Sequence, residues 1–290
     1  MNVSIQGFRG SFHEVAARQY FGPEPALNFC ATFGEVVTQA ADGRADAALM
    51  AVENSLAGSI LPNYLLLERH SLTVTGEVYL PIQQHLLALP GTTLAEVRAV
   101  HSHPMALRQC GNFLGRHPTW LLVETEDTGR SAQLLAERRP PGVAVVAGAQ
   151  AAEAFGLHLL APAIHDDPHN YTRFLVLERA ADAQPQTRPD KASLYFCTAH
   201  APGRLAQVLT LVASHGLNVS KLQSCPRPGQ PWHYGFHADV EFAAPAQLAA
   251  LLTELPALTE ELRVLGAYQR GRLAVGEGRN EKAVEGAVLK

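Results

Sequence analysis

Apolar and polar positions alternate along the first 180 residues in two rhythms. "NVSIQ" (2–6), "ALNFCA" (26–31) and "DAALMAV" (46–52) are short apolar runs that read as strands. Between them lie stretches of helical period. "SFHEVAARQYF" sets Phe12, Val15, Ala16 and Tyr20 on one side, and "TFGEVVTQAADG" follows the second run. Ser11 with Glu14, and Thr32 with Glu35, have the spacing of capping boxes, and Gly43 stands where a helix-ending glycine belongs. The alternation recurs as "HPMALRQCGNFLGRH" (helix), "TWLLVET" and "VAVVAG" (strands) and "QAAEAFG" (helix). Strand and helix in turn predict a largely parallel sheet covered on both faces, here as two α/β lobes.

"ERAADAQPQTRPDKAS" (178–193) is polar, contains prolines, and is the best linker in the chain. A smaller unit follows. "SLYFCTA" is a strand and "GRLAQVLTLVASHG" a helix with Leu205, Val208, Leu209 and Val212 inward. "LNVSKLQS" and "WHYGFHADVEF" are strands, "PAQLAALLTEL" a helix and "LRVLGAY" a strand. That βαββαβ order is the ferredoxin-like one. The expected division is 1–180, a linker at 181–191, a second domain at 192–270 and a flexible tail at 271–290.

Charge and cysteine content narrow the classes. Lys and Arg number 23 against 27 Asp and Glu, a net −4, so a nucleic-acid surface is not expected. The four cysteines, Cys30, Cys110, Cys197 and Cys225, form no CxxC pair and read as reduced thiols of a cytoplasmic protein. The N-terminus lacks the pattern of a secretory leader, and no apolar run approaches the roughly 20 residues of a membrane span. No HExxH, GxSxG, P-loop or GxGxxG motif is present, and His101 and His103 alone are poor zinc ligands, so no metal and no cofactor is expected.

Candidate chemistry gathers where strands end, the place where α/β sheets bind ligands. "FRGSF" turns the first strand into a helix, offering N–H groups around Gly10 and Ser11. "VENSLAG" brings Asn54 and Ser55 just after the third strand. In "HSHPMALRQC", Ser102 precedes Pro104, and Gln109 follows seven residues later, about two helical turns, so both can face one way. "NYTRFLVL" sets Thr172 and Arg173 before the buried run Phe174–Leu177. A guanidinium at that place wants an anion, and a ligand could supply one.

These motifs, in this order, resemble prephenate dehydratase with its C-terminal ACT regulatory domain, over roughly residues 2–270. "GFRGSFHEVAA" is similar to that family's N-terminal glycine motif, "VENSLAG" to its ENS motif, "SHPMALRQC" to its HPQ-type segment and "NYTRFLVL" to its TRF signature. The resemblance implies a two-lobed, periplasmic-binding-protein-like catalytic domain followed by the ferredoxin-like ACT unit. It implies loss of carbon dioxide and water from prephenate to give phenylpyruvate, in phenylalanine synthesis. Thr172 would assist the leaving hydroxide, Arg173 would grip a carboxylate, and Asn54, Ser55, Ser102, Gln109, Gly10, Ser11 and Phe174 would bind or orient substrate. An arogenate dehydratase, or a non-catalytic small-molecule sensor, stays open as the alternative.

Departures from the family pattern are Phe8 in place of proline, His13 in place of a small hydroxyl residue, and Met105 in place of glutamine. In the second unit a GAL-type turn becomes "GRLA" (203–206) and ESRP becomes "QSCP" (223–226), so Gln223 and Cys225 replace an ion pair, while "GLNVSKL" is kept. The resemblance implies a regulatory amino acid, phenylalanine, held by Gly203, Arg204, Leu205, Asn218, Val219 and Ser220. Because such sites are shared between copies, a homodimer or homotetramer is expected.

Overall fold

The computed structural model describes residues 1–184, 186–227 and 229–271. Residues 272–290 of the expected tail lie outside the described residues.

The first lobe runs β1 (Asn2–Gln6), α1 (Phe12–Phe21), β2 (Ala26–Cys30), α2 (Phe33–Ala41), β3 (Ala47–Asn54), β4 (Gly58–Ser59), α3 (Leu61–Arg69) and β5 (Leu72–Pro81). The chain then builds a second lobe: β6 (His85–Ala88), β7 (Ala99–Ser102), α4 (Pro104–Arg108), α5 (Gly111–Leu114), β8 (Leu121–Glu124), α6 (Thr128–Arg138), β9 (Val143–Ala147), α7 (Ala149–Phe155) and β10 (His158–Ala161). It returns to the first lobe as β11 (Tyr171–Arg179), inserted between β3 and β5 in the order β2-β1-β3-β11-β5. The second sheet has the order β10-β6-β9-β7-β8. β1, β2 and β3 are parallel, as are β7, β8 and β9; the strands by which the chain leaves and re-enters a lobe run antiparallel. The expected parallel sheets are therefore mixed, because each lobe is completed by a strand from the far end of the segment.

Capping explains where α1 and α2 begin. Ser11 Oγ accepts from Glu14 N, and Thr32 Oγ1 from Glu35 N, as the spacing predicts. The glutamates reach one residue further back than the standard box, to Gly10 N and Ala31 N. The single helix expected over "HPMALRQCGNFLGRH" is two short ones. Cys110 leaves helical geometry at φ −115°, ψ 21°, and breaks the run between α4 and α5.

The C-terminal unit is β12 (Lys191–Cys197), α8 (Arg204–Ser214), β13 (Asn218–Pro226), β14 (Tyr234–Glu241), α9 (Pro245–Glu254) and β15 (Glu261–Tyr268), with sheet order β13-β14-β12-β15. The βαββαβ order matches the sequence pattern. Every residue of β12 is buried, because both faces of this sheet are covered. Ala192, Leu194 and Phe196 pack with Val208, Val212 and Leu251 under the helices. Tyr195, Cys197, Leu265 and Tyr268 pack instead against Tyr64, Leu67, Leu175 and Leu177 of the first lobe. The two units thus share a core, and β11 lies inside it.

Candidate active site

A cavity of about 370 Å³ opens between the lobes, within the range (roughly 300–1,000 Å³) of small-molecule sites. Ser11, Asn54, Thr172 and Phe174 line it from the first lobe, and His103, Met105, Gln109, Asp127 and Thr128 from the second.

Thr172 and Asn54 are partners across β11 and β3. The register between these strands slips after Arg173: Arg173 pairs with Glu53 but Phe174 with Ala51, leaving Val52 as the extra residue of a bulge. Val52 packs into the core behind the sheet and Ala51 into the core on the cleft side. The bulge lets Val52 and Glu53 both face backward, so that Asn54 turns into the cleft beside Ala51.

Asn54 is fixed by its neighbours. Its Oδ1 accepts from Leu56 N (3.0 Å) and Ala57 N (2.9 Å), which leaves Nδ2 as the end that meets Asn170 Oδ1 (2.7 Å), Tyr171 O (3.1 Å) and Thr172 Oγ1 (3.1 Å). An amide nitrogen only donates, and its two protons are shared among these three acceptors. Thr172 therefore accepts in this contact, and its own proton is free to be given to something in the cleft.

Arg173 does not join this group, which corrects the sequence expectation. Side chains alternate along a strand, so Thr172 and Phe174 share the cleft face while Arg173 points behind the sheet. There it is buried, 4 % exposed. Its Nε donates to Glu77 (2.7 Å), Nη1 to Asp239 and Nη2 to the Tyr268 hydroxyl (3.2 Å). Lys191 meets the other oxygen of Glu77 at 3.1 Å. Burial opposes the charge on Arg173, but Asp239, Tyr268 and Glu77 more than reverse this and hold it protonated. The anion it needed belongs to the chain itself.

Ser102 is a second correction. It does lie just ahead of the helix begun by Pro104, but it does not face the same way as Gln109: it ends β7, is fully buried, and donates to Val146 O at 2.6 Å. Gln109, at the end of α4, does reach the cleft. Ser55 lies outside the lining and ties the turn down, donating to His169 O (2.8 Å) and accepting from Tyr171 N (2.9 Å). Gly10 is also outside it. Its φ of +78° favours glycine, and a Cβ there would meet Ala151 Cα of the other lobe at 3.0 Å, so it permits the close approach of the lobes.

Sequence reasoning missed His13, Glu126, Asp127 and Thr128. His13 is on the cleft wall, its ring edge-on to Phe174 at 5.0 Å, and burial lowers its pKa to about 4, so it is neutral near pH 7. The signal was its departure from the family pattern. Asp127 caps α6, accepting from Arg130 N at 2.9 Å, and burial raises its pKa. That role is legible only once the helix is placed.

No Lys or Arg among the described residues lines this cavity, while two acidic side chains, Glu126 and Asp127, do, so an anionic ligand would depend on the neutral donors and the N–H end of α1. Among the described residues, one His/Cys/Asp/Glu group has metal-compatible spacing: Glu68, Cys225 and His237, within 4.8 Å of one another. It lies at the junction of the two units, where Glu68 Oε1 and His237 Nε2 already share a hydrogen bond of 2.8 Å. No described helix is long and apolar enough to cross a membrane.

Gly203 and Asn218 fall at opposite ends of α8. Gly203 precedes its first residue with φ +80°, and Asn218 opens the strand after it. Eleven helical residues, about 16 Å at the standard rise, separate the two parts of the expected amino-acid site within one chain.

A sequence model described as prephenate dehydratase matches residues 3–182. The bifunctional chorismate mutase/prephenate dehydratase of Escherichia coli (strain K12) is 33% identical over 274 residues, covering 92% of this chain and 70% of that one. An arogenate dehydratase/prephenate dehydratase of Arabidopsis thaliana is 36% identical over 285 residues, covering 92% and 68%. Among solved structures, the prephenate dehydratase of Arthrobacter aurescens in complex with L-Phe superposes with a TM-score of 0.84 at 28% identity, covering 99% of this chain and 97% of that one. GqqA, described as a novel type of quorum quenching acylase, gives 0.84 at 32% identity, covering 93% and 98%.

Proposed function

The chain belongs to the prephenate dehydratase family, and from that premise we propose that the inter-lobe cleft performs the decarboxylating dehydration of prephenate, with Thr172 as its catalytic residue. The carboxylate on the ring leaves as carbon dioxide, and its bonding electrons enter the ring. The ring becomes aromatic as the C–O bond opposite breaks and hydroxide departs with its pair, leaving as water once protonated. Charge builds on that oxygen only in the transition state, so a donor aimed there lowers the barrier without tightening ground-state binding.

The observation that carries this reading is the direction of one hydrogen bond. Asn54 donates to Thr172 Oγ1 and leaves the Thr172 proton for the departing oxygen. Ser11, Gln109 and the α1 terminus supply neutral partners for the substrate's carboxylates, and Phe174 supplies an apolar wall. Neutral donors in place of a guanidinium suit a reaction that discards one of its two carboxylates as an uncharged gas: that carboxylate is ionised near neutral pH without help, and a fixed cation would stabilise it in the ground state more than in the transition state, where its charge is leaving.

The acylase likeness has less support in the cleft. Acyl transfer needs a nucleophile hydrogen-bonded to its base. Among the described residues Ser11 and Thr172 accept from Glu14 N and Asn54, and neither hydroxyl donates to a basic side chain. Mixing the purified protein with prephenate, and in parallel with arogenate, and following phenylpyruvate by absorbance and phenylalanine by chromatography tests the reading. Phenylpyruvate is expected; turnover of neither substrate rejects it.

L-Phe binding by the Arthrobacter relative supports an ACT role for the C-terminal unit. The two halves of the site at Gly203–Leu205 and Asn218–Ser220 would be completed by a second copy, making the protein at least a dimer. The four buried free cysteines fit a cytoplasmic location.

A further inference from the structure

The strands that carry Asn54 and Thr172 are held from behind by the C-terminal sheet. On β3 and β11, Asn54 pairs with Thr172 and Glu53 with Arg173. On β13 and β14, Lys221 pairs with Asp239. The two back-to-back pairs meet: Lys221 Nζ lies 2.6 Å from Glu53 Oε1, and Arg173 donates to Asp239. Four charges of alternating sign thus join the sheets directly behind the cleft residues. Lys221 also donates to Ser59 Oγ at 2.8 Å, and Ser59 faces Glu53 across β3 and β4. One ammonium therefore grips both strands of the hairpin whose turn Asn54 closes.

Both sheets are irregular at this junction. β3 carries its bulge at Val52, and the register of β13 slips between Val219 and Lys221, leaving Ser220 as the extra residue. Ser220 belongs to the segment expected to hold the regulatory amino acid, and Lys221 is its immediate neighbour.

Resting on the dehydratase reading of the cleft, we propose that Lys221 and Asp239 are positioning residues for the reaction: they set the placement of Asn54 and Thr172 from behind, and they make turnover depend on what occupies Asn218–Ser220. The physical requirement is small. Asn54 Nδ2 orients the Thr172 hydroxyl only while it stays within hydrogen-bond reach, and a displacement of about 1 Å at a reacting group costs up to about 10²-fold in rate. A shift of β13 on amino-acid binding moves Lys221, and Lys221 moves the hairpin.

The test compares wild-type protein with Lys221→Met, which keeps an unbranched side chain of similar length and removes the ammonium, together with its place 5.8 Å from the Tyr64 ring centroid. In the variant kcat for prephenate falls on the order of tenfold while KM changes little, the scale of a misaligned rather than a missing group. L-phenylalanine still releases heat on binding but no longer alters kcat. The charge-exchanged double variant, Glu53→Lys with Lys221→Glu, recovers most of the lost turnover, a result that a merely structural role would not give. A Lys221→Met protein with wild-type kcat and a full response to phenylalanine overturns the proposal, as does a double variant no better than the single one. A wild-type protein inactive on prephenate would reject the dehydratase reading itself, which is a separate result.

Discussion

The two faces of β3 and β11 solve opposite problems with neighbouring residues. On the cleft face Asn54 and Thr172 are neutral, and the Thr172 proton is left over. On the back face Glu53 and Arg173 are charged, and both find partners of opposite sign. A buried charge without a partner is expensive, whereas a hydroxyl with a spare proton costs little at the wall of a wet cleft. The chain therefore puts its permanent charges where the fold completes them, and leaves incomplete only groups that a substrate can complete.

The sharpest way to break this comparison is at its cleft side. Thr172→Val keeps shape and removes the proton, and kcat should fall by about 10²–10⁴, the range of a positioned acid or hydrogen-bond donor. Thermal unfolding should hardly move. Turnover near that of the wild type would take Thr172 out of the mechanism.

Arg173→Met is the matching change behind the sheet. It strands Asp239 and removes one of the two cations beside Glu77, so stability should drop by about 3–5 kcal/mol, the cost of breaking a buried pair from one side. Urea titration measures the loss, with KM for prephenate unchanged. A raised KM at unaltered stability would return Arg173 to substrate binding.

A gentler probe is acid. Burial by itself would raise the pKa of Asp239, but Arg173 and Lys191 outweigh burial and hold it below the usual carboxylate value. A carboxylate whose folded pKa is depressed contributes stability that is complete above its unfolded pKa, about 3.9, and is lost as pH falls through the lower folded value. The junction should therefore hold at pH 5 and fail below about pH 4. His13 works at higher pH. Its folded pKa of about 4 lies below the ordinary 6.5, so the unfolded chain binds the extra proton and stability falls as pH drops between those values. His13→Gln should flatten that slope in denaturation curves collected from pH 7 to 4; an unchanged slope would show the ring is not the source.

How much of this was legible beforehand differs between fold and site. Strand and helix order, both helix caps and the βαββαβ unit follow from apolar period and from Ser, Thr and Gly at element ends. Such signals are local, and local chemistry decides them. The return of β11 between β3 and β5 could not be read, because nothing in "YTRFLVLER" says which strands will flank it. Thr172, Asn54, Ser11, Gln109 and Phe174 were found through motifs and do meet at the cleft. Arg173 was placed on the wrong side even though alternation was available: in a strand that includes Thr172, the next residue must face away. What sequence could not supply was the partner, since Glu77 and Asp239 lie 96 and 66 residues away along the chain.

The smallest effect belongs to Ser102, and it separates a buried hydroxyl from a working one. Both Ser102 and Thr172 sit at strand ends and both matched a family motif, but only Thr172 lines the cleft. Ser102 spends its proton on Val146 O at 2.6 Å inside the second lobe, which joins β7 to β9 and leaves nothing to offer a substrate. Ser102→Ala should cost stability on the order of 1–3 kcal/mol, through the orphaned carbonyl, with kcat within about twofold of wild type. If instead Ser102→Ala lost activity on the scale of Thr172→Val while unfolding normally, position at a strand end rather than a free proton would be what marks a catalytic hydroxyl here, and the contrast between the two faces of β3 and β11 would lose its chemical meaning.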